Sequence, residues 1–246
     1  MDAASPSVSI VTVVRNDAEH IARTLDSVLA QRDADLELVV VDGGSSDGTQ
    51  AIVQGYGSRI GAFLSEPDRG IYDAMNKGIG LARGEYVLMM NSGDVFASDD
   101  ALSGLLRLTR SGVDQVIFGA WERLGAGGHC TRCHPTPERG FFNHQAVLYS
   151  RSLHRRFGDY VCAPGFSTAD YLFFSTVLAA TDVVCRTTNA TVARIDVSGV
   201  SAGLQTVSQK YAIDHLFGRC GRMKLLAVLA LHPAYHGVKR LLRGAR

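Results

Sequence analysis

From residue 7 to residue 90 the chain alternates short apolar runs with amphipathic stretches, and most runs end in a loop of Asp, Asn, Arg, Ser or Gly. Residues 7–14 (SVSIVTVV) and 36–41 (LELVVV) are rich in β-branched residues and largely lack the polar alternation of a half-exposed strand, so they read as buried parallel strands. Residues 60–65 and 86–90 read as two more. Between the first two, residues 17–32 place Ile21, Leu25, Val28 and Leu29 at helical spacing, with Asn16 or Asp17 as N-cap. Residues 49–56 and 71–82 supply further helices. Four strands interleaved with three helices predict a parallel sheet with crossover helices. Ligands bind such sheets beyond the carboxyl ends of the strands. That rule gathers Val14, Arg15 and Asn16, Asp42 and its glycines, and residues 91–94 on one rim.

Past residue 100 the pattern becomes mixed. Residues 101–110, 171–180 and 205–217 read as helices, residues 115–121, 183–186 and 191–195 as strands, and residues 125–128 as a glycine turn. No internal repeat is present. With 246 residues, 46% of them hydrophobic, the chain can bury a sizeable core. Its five cysteines are an odd number and argue against a disulfide framework. The start, MDAASPSVSIVTVV, has an acid at position 2 and no cleavage site, so a cytoplasmic protein without a signal peptide is expected. No apolar run approaches the ~20 residues that span a bilayer.

The formal charge of +1 conceals an asymmetry: after Asp214 there is no acid, but Arg219, Arg222, Lys224, Lys239, Arg240, Arg243 and Arg246 follow. A basic segment interleaved with Leu, Val and Ala suits a membrane surface, or a helix packed on the body with its charges solvated. No aromatic platform or reader motif accompanies it, so nucleic acid is not an expected partner.

Read one at a time, the polar residues of the rim leave alternatives open. The loop VDGGSSDGT is either a nucleotide-approaching loop or a plain turn. Asp42 suits hydrogen bonding to a base or ribose, or capping. Arg69 suits a phosphate, an active-site carboxylate or solvent, with Asp68 as a helix N-cap. Asp94, in LMMNSGDVF, is a metal ligand or a turn former, and Asp170, in STADYLFF, is a general base or an N-cap. Gly78, Gly80 and Gly84 imitate a dinucleotide fingerprint in the wrong setting. Cys130-Thr131-Arg132-Cys133-His134 formally matches a haem-attachment pattern, and its cysteine pair a zinc half-site. Neither is expected without an export signal or a second metal-binding pair.

Taken together, SIVTVVRND, LELVVVDGGSSDGT, SEPDRGIYDAMNKGIGLARGEYVLMMNSGD, FFNHQAVLYS and TADYLFF occur in order between about residues 7 and 200. They resemble the inverting glycosyltransferases of family 2. The form of the third segment is especially similar to the branch that assembles bacterial exopolysaccharides, O-antigens and related glycolipids, including colanic-acid-type enzymes, which implies exopolysaccharide or lipopolysaccharide biosynthesis. The resemblance implies an α/β GT-A fold: a mostly parallel, Rossmann-like nucleotide-binding sheet, continuous with a mixed acceptor-binding half and C-terminal helices. Its expected divisions are residues 1–100 for the nucleotide sugar, 101–204 for acceptor and catalysis, and 205–246 as a helical, basic, amphipathic tail.

The resemblance also implies roles. Val14 and Arg15 lie against the base, Asp42 bonds base or ribose, and Asp68 and Arg69 line the donor pocket. Asp94 coordinates Mg²⁺ or Mn²⁺ on the diphosphate, and Asp170 is the catalytic base of a single in-line displacement. His144 and Gln145 are acceptor-side candidates. The chain departs from the family pattern at Arg15, where an aromatic is common, though a guanidinium plane also stacks. It departs again at Gly93, where many members have a second carboxylate. The implied partners are a nucleoside-diphosphate sugar, a saccharide or lipid-linked acceptor, the cytoplasmic face of the inner membrane through the tail, and other transferases of the same pathway. A non-catalytic nucleotide-sugar-binding homologue is the competing reading. A nucleotidyltransferase would need a phosphate-binding glycine loop that VTVVRNDAEH does not offer.

Overall fold

The structure, a computed structural model, describes residues 7–125, 129–196 and 204–229. Part of the expected glycine turn (126–128) and the end of the basic tail (230–246) lie outside the described residues. The expected alternation is present: β1 (Val8–Val14), α1 (Ile21–Leu29), β2 (Leu36–Asp42), α2 (Thr49–Gln54), β3 (Ala62–Ser65), α3 (Ile71–Leu81) and β4 (Tyr86–Met89). Then come β5 (Val95–Phe96), α4 (Ala101–Leu106), β6 (Gln115–Leu124), β7 (Cys130–Cys133), β8 (Val147–Ser150), α5 (Ser152–Phe157), α6 (Ala169–Leu178), β9 (Val184–Asp196) and α7 (Leu204–Leu216).

One sheet runs through both halves in the order β3-β2-β1-β4-β8-β6-β9-β5, with β7 on β6. The block from β3 to β4 is parallel. From β8 onward antiparallel and parallel pairs mix. In β2, Leu38 and Val40 pack on one face with Leu25 and Val28 of α1, while Val39 and Val41 pack on the other with Met75 and Ile79 of α3. Both faces of the central strands are therefore dry, which is why their sequences carry apolar residues at consecutive positions.

Several expectations need correction. Helix α1 begins at Ile21, not near residue 17, and His20 stands at its N-cap without a side-chain cap bond. Neither Asn16 nor Asp17 caps it, because Asn16 adopts a left-handed φ of 50° and its amide oxygen accepts from Ser46 N. The strands expected at 183–186 and 191–195 are one strand, β9, irregular where it crosses Phe118 to Trp121 of β6. Strands β5, β7 and β8 and helix α5 were not anticipated. The two cysteines of the haem-like motif lie three apart in β7, so their side chains leave opposite faces of the strand. They cannot close on one metal.

Among the described residues no helix is long and apolar enough to cross a membrane.

A buried acid ties the base of the sheet together. Glu37 of β2 accepts from Ser9 Oγ at 2.6 Å, Arg83 Nε at 2.8 Å and Gly84 N at 3.2 Å. Burial pushes its carboxyl up, but the Ser9 hydroxyl and the Arg83 backbone and guanidinium outweigh it and hold the group below the usual range. A folded-state pKa below the unfolded one stabilises the fold above the unfolded value, and the benefit is lost as pH falls through the folded value. Glu37→Gln should therefore cost about 1.5–3 kcal/mol in urea unfolding at pH 7. The deficit should shrink as pH falls below 4; a deficit independent of pH would refute the charge assignment.

Candidate active site

The rim beyond β1, β2 and β4 is built from loops that bond to one another. Val14 pairs with Asp42 across β1 and β2, and Ser92 N reaches Val13 O at 3.1 Å, so three loops emerge side by side. Asp42 is fully buried. Its carboxylate accepts from the Ser45 hydroxyl, Ser45 N and, at 2.7 Å, Ser65 Oγ. Burial raises its proton affinity, but these donors outweigh burial and keep it below the ordinary range. In the loop VDGGSSDGT, Ser45 N goes to Asp42, Ser46 N to Asn16 and Thr49 N to Asp47. Those amides are thus already satisfied within the protein. Asp42 pins the loop that faces Val14 and Arg15.

Asp68 accepts from Gly70 N at 2.9 Å and lies 3.9 Å from Arg15 Nη1, with the Arg15 side chain 61% exposed. Arg15 and Asp68 thus come together on the rim. Arg69, two residues before α3, pairs with Asp73 inside that helix, with Nη2 at 2.7 Å from Oδ1. The Arg69 hydrogen bonds, side chain first, hold the Asp73 carboxyl down to about 2.

The chain after β4 makes a tight turn in which Asp94 N bonds Asn91 O at 3.1 Å. Gly93 takes a φ of +96°, a region that favours glycine, which explains why no second carboxylate stands there. Asp94 is buried; Thr24 Oγ1 donates to its carbonyl at 2.8 Å, and Gln145 Nε2 to its Oδ2 at 2.7 Å.

Asp170 is the second residue of α6, whose N-cap is Thr168, so it is not the cap. Tyr72 of α3 donates its hydroxyl to Asp170 Oδ1 at 2.6 Å, and His144 Nδ1 lies 2.8 Å from Oδ2. Burial pushes this carboxyl up. The adjoining His144, the Tyr72 hydroxyl and Tyr171 N outweigh it, so the group is held ionised below the usual carboxylate range. On its other side, His144 Nε2 lies 3.1 Å from Asn91 Nδ2. Helix α7 closes over this helix start: Gln209 accepts from Ser167 N at 2.9 Å, and the Tyr171 hydroxyl donates to Asp214.

The sequence-predicted residues thus fall into two groups. Val14, Arg15, Asp42 and Asp68 share the loops beyond β1, β2 and β3. Asp94, Asp170, His144 and Gln145 form a second, hydrogen-bonded group. Arg69, itself exposed, pairs with the buried Asp73. Tyr72 and Asn91 were missed as individual site residues, although both lie inside segments carrying the family resemblance.

Among the described residues no three His, Cys, Asp or Glu side chains cluster as a metal cage. The buried amide oxygens Asn91 Oδ1 and Gln145 Oε1 have no hydrogen-bond partner, and both residues bond to Asp94 through other atoms. One carboxylate beside unsatisfied neutral oxygens suits a hard divalent cation of the kind that takes its remaining ligands from phosphate and water.

Comparison with known proteins agrees with this architecture. The model for glycosyl transferase family 2 matches residues 9–168. An "Uncharacterized glycosyltransferase" of Mycobacterium tuberculosis is 30% identical over 207 residues, covering 80% of this chain and 78% of the relative. A "PGL/p-HBAD biosynthesis glycosyltransferase" of Mycobacterium bovis is 38% identical over 103 residues, 41% of this chain and 40% of that one. Two solved structures share the fold. S. aureus TarS 1-349 with UDP-GlcNAc superposes with a TM-score of 0.69 at 18% identity, over 86% of this chain and 65% of that one. The mannosyltransferase PcManGT of Pyrobaculum calidifontis, with GDP-Man and Mn²⁺, gives 0.68 at 19% identity, over 98% and 80%.

Proposed function

This chain belongs to glycosyl transferase family 2 and is a glycosyltransferase, and we propose that it is an inverting one. It moves a sugar from a nucleoside-diphosphate sugar to a hydroxyl of a saccharide or glycolipid acceptor, lipid-linked, in cell-surface polysaccharide or glycolipid synthesis. The observation that carries this reading is the Asp170 carboxylate, kept ionised by His144 and Tyr72 and joined through His144 and Asn91 to the turn that bears Asp94. The nucleotide sugars named with TarS and PcManGT support the donor class, and the PGL/p-HBAD biosynthesis named for the mycobacterial relative supports a biosynthetic acceptor.

In the proposed reaction the acceptor oxygen attacks the anomeric carbon as Asp170 takes its proton. The bond from that carbon to the diphosphate oxygen breaks on the opposite side, so configuration inverts. Val14, Arg15, Asp42 and Asp68 orient the nucleoside end. Asp94 would hold Mg²⁺ or Mn²⁺, which when bound offsets the charge of the departing diphosphate. The division into a donor half (1–100), an acceptor half (101–204) and a tail (205–246) follows from these roles, within one continuous sheet.

The tail reading remains part of the proposal. Met223, Leu226 and Leu229 of the helix at 222–229 are 79%, 53% and 45% exposed, beside Arg222 and Lys224. Such a face suits an anionic leaflet. The experiment is a transfer and hydrolysis assay with UDP-, GDP- and dTDP-sugars and Mn²⁺, run with and without anionic vesicles. At least one donor should be turned over with inversion, and a chain ending at residue 221 should lose co-sedimentation with vesicles. Retention of configuration, or no donor consumed, would overturn the catalytic reading; unchanged co-sedimentation would overturn the membrane one.

A further inference from the structure

His144 and Gln145 occupy successive positions of one 3₁₀ turn, His144–Ala146, and each grips a different carboxylate: His144 holds Asp170, and Gln145 holds Asp94. We propose that this dipeptide is the positioning element of the site, setting the base and the diphosphate-side carboxylate in fixed relation to each other. The inference rests on Asp170 being the base.

The turn is suited to the task because it is itself rigid. Asn143 Oδ1 accepts from Gln145 N at 2.9 Å, and Ala146 is fully buried. Directly after it comes β8, which is paired to both β4 and β6 at the centre of the sheet. Both carboxylates are thus referenced to the same piece of the scaffold, although they lie in segments 76 positions apart in sequence. His144 also closes a loop of contacts: its Nε2 faces Asn91, whose backbone oxygen holds Asp94 N.

These contacts fix the role as positioning, not direct proton transfer. One imidazole nitrogen faces Asp170 and the other faces Asn91, so neither is left for an acceptor hydroxyl. What His144 does is restrict rotation of the Asp170 carboxylate, with Tyr72 holding the other oxygen. Displacement of a reacting group by about 1 Å costs ~10²-fold in rate. Gln145 acts in the same way on Asp94, as a partner behind a metal-binding carboxylate, where loss typically costs ~10–100-fold in affinity or activity.

The test combines steady-state kinetics with calorimetry of nucleoside diphosphate plus Mn²⁺. His144→Leu should lower kcat by ~10²-fold with the nucleotide Kd unchanged. His144→Asn, which keeps an N–H near the place of Nδ1, should recover most of that loss. Gln145→Leu should do the reverse and raise the nucleotide–Mn²⁺ Kd by ~10–100-fold. If His144→Leu and His144→Asn lose activity equally, or if both positions shift Kd and kcat together, the dipeptide is only a structural turn and the inference fails. Normal turnover in Asp170→Asn would sink the base assignment. An inactive Asp170→Asn beside a normal His144→Leu would sink the positioning role alone.

Discussion

Asp170→Asn is expected to reduce kcat by ~10²–10⁴-fold, the usual contribution of a general base, with donor binding unchanged. The substitution keeps shape and removes the charge that would receive the acceptor proton. Its oxygen can still accept from Tyr72, where the hydroxyl now sits 2.6 Å from Oδ1. Its nitrogen, however, would then face His144 Nδ1–H, two donors at a spacing of 2.8 Å in the parent. The imidazole can relieve this by moving its proton to Nε2, and the Asn91 amide must then turn over to present oxygen. That rearrangement is local, so the variant should fold and bind nucleotide. A rate within about threefold of the parent would remove Asp170 from the mechanism. Because the carboxyl is held below its usual range, the parent should keep its base ionised to lower pH than an ordinary aspartate would.

What could be read from sequence followed the physics of each element. Strands β1 and β2 were legible because both faces are buried, leaving Val, Ile and Leu at consecutive positions on both faces, interrupted only by Ser9, Thr12 and Glu37 before Asp42 ends β2. Strand β5 has two residues and no periodicity to detect, yet it crosses to the far edge of the sheet to pair with β9. The polar run at 187–189 made β9 look like two strands, whereas its backbone continues through an irregular pairing with β6. In the site, Asp94 and Asp170 could be singled out by their places after a strand and at a helix start. The contacts that give them chemistry could not. Tyr72 meets Asp170 across 98 positions and Asn91 meets His144 across 53, so no local pattern announces either. Asp170 looked like a cap for the same reason, since its proper partners come from α3 and the His144 turn.

Asp94→Ala should abolish Mn²⁺-dependent binding of the nucleoside diphosphate, and this is the second large effect expected. Removing a residue behind a metal ligand typically costs ~10–100-fold, so removing the carboxylate itself should weaken binding by more than ~10². The turn offers no substitute, because the neighbouring position is Gly93 at a φ of +96°, where an aspartate would be strained. Alanine also leaves Gln145 Nε2 without its acceptor in a buried place, a destabilisation of about 1–3 kcal/mol that by itself could disturb the site. Asp94→Asn separates the two effects. Its side-chain oxygen can still receive the Gln145 amide and preserve the turn, but the negative charge is gone. If charge holds the cation, calorimetry with Mn²⁺ should show both variants failing to bind nucleotide, with the asparagine protein close to the parent in thermal stability. If Asp94→Asn binds nucleotide and Mn²⁺ as the parent does, the aspartate serves only the geometry of the turn, and the divalent cation must be held without it.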